Sequence, residues 1–300
     1  MSAEFASPGY SSQFPVLGIL RFSFFGPTDT RQKHRDEADL ATLYDPERME
    51  TRFNFFEKLL LPSIKAQTDG EFDFAVVSSD VMPKIYKERL ADGLSGFSQA
   101  RLILAETQSF RKVAGPLILA ACEASRSGNV ATFRVDDDDA LSRHYIRRLR
   151  DAALGVPPKS VITFPKSVGM FREADGSLGV TKRMLLCASP GLCRINNAQY
   201  AKDPYAMMHG GIWRRFLTLS DPGFLSHIQS YHTHNDTAAN TDQTVAAMKR
   251  SIGRKYKSEE YWAGIRAALA EDFPSFDLQY LADAFGASLN SRQESAAQVE

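Results

Sequence analysis

Cysteine is scarce in this chain: Cys122, Cys187 and Cys193 are the only three among 300 residues, and no CxxC spacing occurs. An odd number without paired spacing is a poor disulfide framework, and a reducing, cytoplasmic setting suits it best. Long apolar runs are also missing. No stretch of about 18 apolar residues exists, so nothing reads as a membrane span, although peripheral contact with a membrane surface stays open. The opening MSAEFASPGYSSQFP has neither a basic nor an apolar region and does not read as a secretory signal. Net charge is absent too: 36 Lys and Arg balance 36 Asp and Glu. That speaks against binding nucleic acid through bulk positive charge. Neither G-x-x-x-x-G-K-[ST], G-x-G-x-x-G nor G-x-S-x-G is found, which removes the P-loop, the dinucleotide fingerprint and the serine-hydrolase elbow.

What is present begins as strand alternating with helix. Strands are predicted over 15–25, 72–78, 101–105 and 130–135, and helices over 47–61, 83–90, 115–125 and 143–154, the last with Ser142 as N-cap. Repeated strand–helix units with short connections imply parallel strands joined by crossovers, hence an α/β sheet covered on both faces. Shorter strands follow over 160–164, 168–173, 179–185 and 191–195, with a hairpin turn at Asp175-Gly176. From Asp236 the pattern turns helical, over 241–251, 258–270 and 277–285. Residues 1–14 read as a flexible leader and 287–300 as a disordered tail. Between them lie one catalytic domain, 15–235, divided into halves at about residue 155, and a helical C-terminal extension, 236–286.

The most informative stretch is Asp136-Asp137-Asp138-Asp139, which closes the apolar run Val130–Val135. On a strand, Asp136 and Asp138 would share one face, roughly 6–7 Å apart at Cα. Crowded carboxylates repel, and a hard divalent cation relieves them. Ligands of α/β sheets bind at the carboxyl ends of strands. The aspartates sit at such an end, as do Ser78, Ser79 and Asp80 after the second strand, and Arg21 towards the end of the first. The segment 226–236 brings His227, His232 and His234, which suit a metal, a phosphate or proton transfer. His209-Gly210-Gly211 with Trp213 allows close backbone approach and ring stacking. Arg31 and Arg35 add cations near the first strand. The competing readings are an acidic cap with packed histidines, a metal-dependent phosphohydrolase or nucleotidyltransferase, and a non-catalytic binding domain with an acidic cation site. A HAD-type phosphatase would place its aspartates after the first strand, and the EF-hand glycine and glutamate are absent.

LGILRFSFFG, RFNFFEKLLLPSIKAQTDGEFDFAVVSSD and FRVDDDDALSRHYI, with the later SPGLCRI, resemble the rhamnosyltransferase family of GT-A type glycosyltransferases. The resemblance covers residues 15–240. It implies a GT-A-like nucleotide-diphospho-sugar transferase fold: a mixed sheet flanked by helices, with a nucleotide-binding half and an acceptor half. It further implies a DxD motif, here Asp136 and Asp138, holding Mn2+ or Mg2+ against the diphosphate of a dTDP-, UDP- or GDP-sugar. A glycan or small molecule is the implied acceptor. On this reading Arg21, Ser78, Ser79, Asp80, Asp136 and Asp137 contact the donor. His232 and His234 complete the metal shell, and Asp203, His209 and Asp221 compete for the role of base.

Overall fold

The computed structural model describes residues 14–27, 37–206, 209–232, 241–252, 258–290 and 293–294. The first half follows the strand–helix alternation: β1 (Val16–Arg21), α1 (Glu37–Leu43), α2 (Pro46–Phe55), α3 (Leu61–Lys65), β2 (Asp73–Ser79), α4 (Lys84–Leu94), β3 (Ala100–Ala105), α5 (Phe110–Ala124) and β4 (Asn129–Val135). Then come β5 (Ala140–Leu141), α6 (Tyr145–Ala153), β6 (Val161–Thr163), β7 (Lys166–Arg172), β8 (Leu178–Met184), β9 (Cys193–Asn197), β10 (Thr218–Ser220) and β11 (His227–Tyr231). The chain closes with α7 (Thr241–Ile252), α8 (Glu259–Asp272) and α9 (Leu278–Ala284).

Among the described residues the strands form two sheets, one ordered β10-β6-β9-β4-β1-β2-β3 and the other β5-β11-β7-β8. In the first, β3, β2, β1 and β4 are mutually parallel, and β9 runs antiparallel between β4 and β6. The sheet is therefore mixed, as expected. The order reverses at β1: β2 and β3 lie to one side and β4 to the other, so the crevice between the carboxyl ends of β1 and β4 is a topological switch point. β1 shows why the sheet is covered on both faces. Val16 and Leu20 enter the core beneath α2, α3, α4 and α6, while Leu17 and Ile19 enter the core beneath α5. Gly18 leaves room for two rings, since a Cβ there would lie 2.5 Å from Phe133 and 2.6 Å from Phe74.

Several boundaries differ from expectation. β1 stops at Arg21, and Ser23 adopts a left-handed φ of 42° that turns the chain. Pro62, read as a stop, sits in the first turn of α3, which a wide π-helical segment, Phe56–Leu60, joins to α2. The helix after the aspartates begins at Tyr145 with His144 at its cap. Ser142 instead accepts from His144 N–H at 3.1 Å and donates to the Asp272 carboxylate at 2.9 Å. β5, β10 and β11 add to the strands expected. Phe14, placed in the leader, is buried.

The second sheet has its own core. Val168, Met170, Leu178, Val180 and Ile228 pack against Trp262, Ile265, Leu269 and Leu281 of α8 and α9, with Phe55 and Leu59 of the long helix between the two sheets. The C-terminal helices are thus the cover of this sheet. In the tail, the buried Gln293 donates its amide to the Leu178 carbonyl at 2.6 Å.

Candidate active site

The four aspartates join the two sheets, for β4 ends at Val135 and β5 begins at Ala140. They do not continue the strand. Asp139 N–H donates to the Asp136 carbonyl at 3.2 Å, closing a tight turn, so the strand alternation expected to align Asp136 with Asp138 does not apply. Each carboxylate has its own partner. Asp136, partly exposed, accepts from Arg134 at 3.1 Å and from Ser189 Oγ at 2.9 Å. Asp137, fully buried, faces Arg52 Nη2 at 2.7 Å. Asp138 lies 3.0 Å from His232 Nε2 and 3.6 Å from Arg52 Nη1. Asp139 accepts Ser230 N–H at 3.1 Å. Arginines thus offset much of the repulsion for which a cation was the expected remedy.

The environments separate the four acids electrostatically. Burial works to raise Asp136, but Arg134 and Arg21 outweigh it and hold the carboxyl below its usual range. Burial, with Asp138 alongside, pushes Asp137 up to about 7 despite Arg52. Burial and the neighbouring Asp138 raise Asp139 well above the ordinary range. Asp136 is the solvent-reaching member of the cluster, and its carboxylate is held ionised by Arg134 and Arg21.

The switch-point crevice is held by Tyr205. Its hydroxyl lies 2.8 Å from the Val135 carbonyl oxygen of β4 and 3.1 Å from that of Ile19 in β1, and accepts Arg21 N–H at 3.2 Å. The Arg134 and Arg21 guanidinium groups lie 4.2 and 5.0 Å from its ring centroid. His209 is close enough to feel Arg134 and Asp136. Enclosure by the protein and the Arg134 charge lower its imidazole below the usual range.

The structure brings Arg21, Asp136, Asp138, His209 and His232 to one region and places other expected residues elsewhere. Ser78 and Ser79 are fully buried; Ser79 Oγ accepts Phe25 N–H at 2.7 Å and shapes the turn after β1. Asp80 lies exposed just beyond β2. Asp203 is buried and accepts from Tyr205 and Ala206 N–H at 3.0 and 2.9 Å, which fixes the turn that presents Tyr205. Asp221 follows β10, at the same sheet edge as the aspartates but three strand spacings from β4, roughly 14 Å. His227 alternates to the opposite face of β11 from His232, where Ser226 Oγ lies 2.8 Å from its Nδ1. Trp213 is exposed on the surface, with the Arg214 guanidinium 5.0 Å from its ring. His234, Arg31 and Arg35 lie outside the described residues.

Arg52, Arg134 and Tyr205 were not anticipated. Arg52 carries a signal in hindsight: it stands in the apolar stripe of its helix with Met49, Phe53 and Phe56, where a charge needs an internal partner. Tyr205 lies in a single 3-10 turn, Pro204–Ala206, too short to carry a periodic pattern.

Carboxylates with an imidazole are donors that suit Mg2+ or Mn2+. Among the described residues no group of three or more His, Cys, Asp or Glu converges to cage an ion. An ion on a diphosphate does not require one, because one or two carboxylates plus substrate phosphates and water complete its shell. Asp138, paired with His232, and the solvent-reaching Asp136 fit that role.

A family described as "Putative rhamnosyl transferase" matches residues 15–244. S. aureus TarS 1–349 in complex with UDP is 12% identical, covers 95% of this chain and 92% of its own, and has a TM-score of 0.39. Mannosyltransferase PcManGT from Pyrobaculum calidifontis, in complex with GDP-Man and Mn2+, is 11% identical, covers 97% of this chain and 75% of its own, and has a TM-score of 0.41. No curated protein matches the chain. The mixed sheet flanked by helices is the architecture expected, and the family match supports a glycosyl transferase. The chain belongs to the rhamnosyl transferase family, whose match spans more than three quarters of it.

Proposed function

We propose that the protein transfers a sugar from a nucleotide-diphosphate donor to a glycan or other acceptor, with the donor lying across the switch-point crevice between β1 and β4. The observation that carries this reading is the meeting of His232, from the second sheet, with Asp138 at the carboxyl end of β4, 3.0 Å apart. Asp136 and Asp138 would hold Mn2+ or Mg2+ together with the donor phosphates, with His232 orienting Asp138; when bound, the ion neutralises the diphosphate as a leaving group. Arg21 and Arg134 present positive charge to the same region, and Tyr205 keeps both oriented. The exposed Asp80 is the remaining donor contact beyond β2, with Ser78 and Ser79 supporting the loop from inside. Of Asp203, His209 and Asp221, we assign the acceptor proton to His209, the one of them that feels the charge of Asp136. Rhamnose is the sugar the family name suggests, and three buried free thiols suit a cytoplasmic enzyme.

The arginines support a second reading, in which guanidinium groups rather than a metal neutralise the diphosphate. Calorimetry with UDP, dTDP and GDP, with and without Mn2+, separates the two. Binding strengthened at least tenfold by Mn2+ and abolished in Asp138→Asn supports the metal. Equal binding without metal supports the arginines. No binding of any nucleotide under either condition defeats the proposal.

A further inference from the structure

Between Asp175 and Asp221 the chain carries six Lys or Arg (Lys182, Arg183, Arg194, Lys202, Arg214 and Arg215) and a single acid, Asp203, in a protein whose charges balance over its full length. That acid is buried, at 1% exposure. The same stretch holds six of the large apolar side chains that the surface exposes: Met184, Leu185, Leu186, Trp213, Leu217 and Leu219, of which Met184 and Leu217 are 64% and 63% exposed. Single exposed apolar residues are ordinary, but a cluster calls for an occupant.

The fold gathers these residues. Cys187 and Ile212 share one small buried cluster with Val161 and Leu192, against which Phe216 packs. Leu185 N–H donates to the Pro165 carbonyl at 2.9 Å, and Val161 N–H to the Leu217 carbonyl at 2.8 Å. The segments Lys182–Leu186 and Trp213–Leu219 are thus anchored to the same strand, β6, and to its extension. Lys166, exposed on β7, pairs in register with Met184 and adds a cation to the rim. Beside the patch, Lys182–Leu185 and α7 bound a cleft of about 690 Å3. Arg183 in that cleft donates to Gln229 and Tyr231, and no carboxylate pairs with it among the described residues.

We propose that this face docks on an anionic bilayer surface, with the leucines, Met184 and Trp213 entering the headgroup–acyl boundary and the cations meeting lipid phosphates. An apolar patch rimmed by cations, with no exposed acid between Met184 and Leu219, matches that interface. It suits a second copy of the chain poorly, because two-fold pairing would set this cation-rich face against itself. The docking face belongs to the second half of the chain, so a bound molecule would turn that half towards the membrane. The inference stands independently of sugar transfer.

The test is partition of the full chain onto vesicles of phosphatidylcholine with about one third phosphatidylglycerol, against pure phosphatidylcholine. The protein should sediment with the anionic vesicles and partition at least tenfold less onto the neutral ones, with further weakening at high salt. Trp213 emission should shift to the blue, since the other tryptophan, Trp262, is already buried. Arg214→Glu/Arg215→Glu and, separately, Leu186→Ser/Leu217→Ser should each reduce partition at least tenfold while thermal unfolding and nucleotide binding stay as in the parent. No partition onto anionic vesicles, or partition that both variants retain, overturns the proposal. So does concentration-dependent dimerisation in sedimentation velocity that the leucine variant abolishes.

Discussion

His227 and Asp137 show two buried titratable side chains pulling stability in opposite directions with pH. Burial, aided by the Arg183 charge, pushes the His227 imidazole down to about 3. In the unfolded chain it titrates near 6.5. The unfolded state therefore binds more protons below that value, and the contribution of His227 is complete above about 6.5 and lost as pH falls towards 3, by up to about 1.4 kcal/mol per pH unit. Asp137, raised to about 7, acts the other way: its contribution is present at low pH and lost as pH rises through about 7. The two partly cancel between pH 4 and 6.5, so the residue-level prediction concerns a difference. The stability of the parent relative to His227→Asn, from urea unfolding, should fall as pH drops from about 6.5 to 4. A difference that stays flat across that range would contradict the buried neutral imidazole.

At the scale of elements, β1 is the strand on which most else rests, and Gly18 is its narrowest point. Gly18→Ala would drive a methyl into the rings of Phe133 and Phe74, which are paired with it in register on either side. Overpacking of this kind costs about 1–3 kcal/mol, read as a lower melting temperature with an unchanged circular dichroism spectrum. Alanine at wild-type stability would show that the rings yield freely. β1 to β4 were legible in the sequence because continuous apolar runs bounded by turn residues have few other uses. β5, β10 and β11 were not, because two to five residues with a polar face, as in His227-Ile-Gln-Ser-Tyr231, carry no period of their own and become strands only through their neighbours. At the site, the aspartates and His232 were readable from residue type. Arg134 and Tyr205 were less so, for their roles depend on the closeness of β1 and β4, which is a long-range fact. The inward turn of Ser78 and Ser79 follows from the Phe25 backbone, which no local pattern discloses.

For the whole molecule, the family match ends at residue 244, before α8 and α9. Yet Val168, Leu178, Val180 and Ile228 are fully buried in a core that these helices complete. Each such side chain contributes about 1.5–3 kcal/mol, and exposing several together rivals the 5–15 kcal/mol by which folded domains typically exceed unfolded ones. A chain ended at residue 257 should therefore lose cooperative thermal unfolding and bind a hydrophobic dye. A truncated chain that melts as sharply as the parent would show the second sheet to be stable without its cover.

The long helix gives the two sheets a common fate. Phe53, Phe56 and Leu60 belong to the core of the first sheet, and Phe55 and Leu59 to that of the second, so the widened turn at Phe56–Leu60 is shared by both. Neither half can open without unwinding a rod on which the other also leans. Slow amide exchange in β1 and in β7 would then report one and the same opening event, and His232 would stay opposite Asp138 for as long as that rod remains wound.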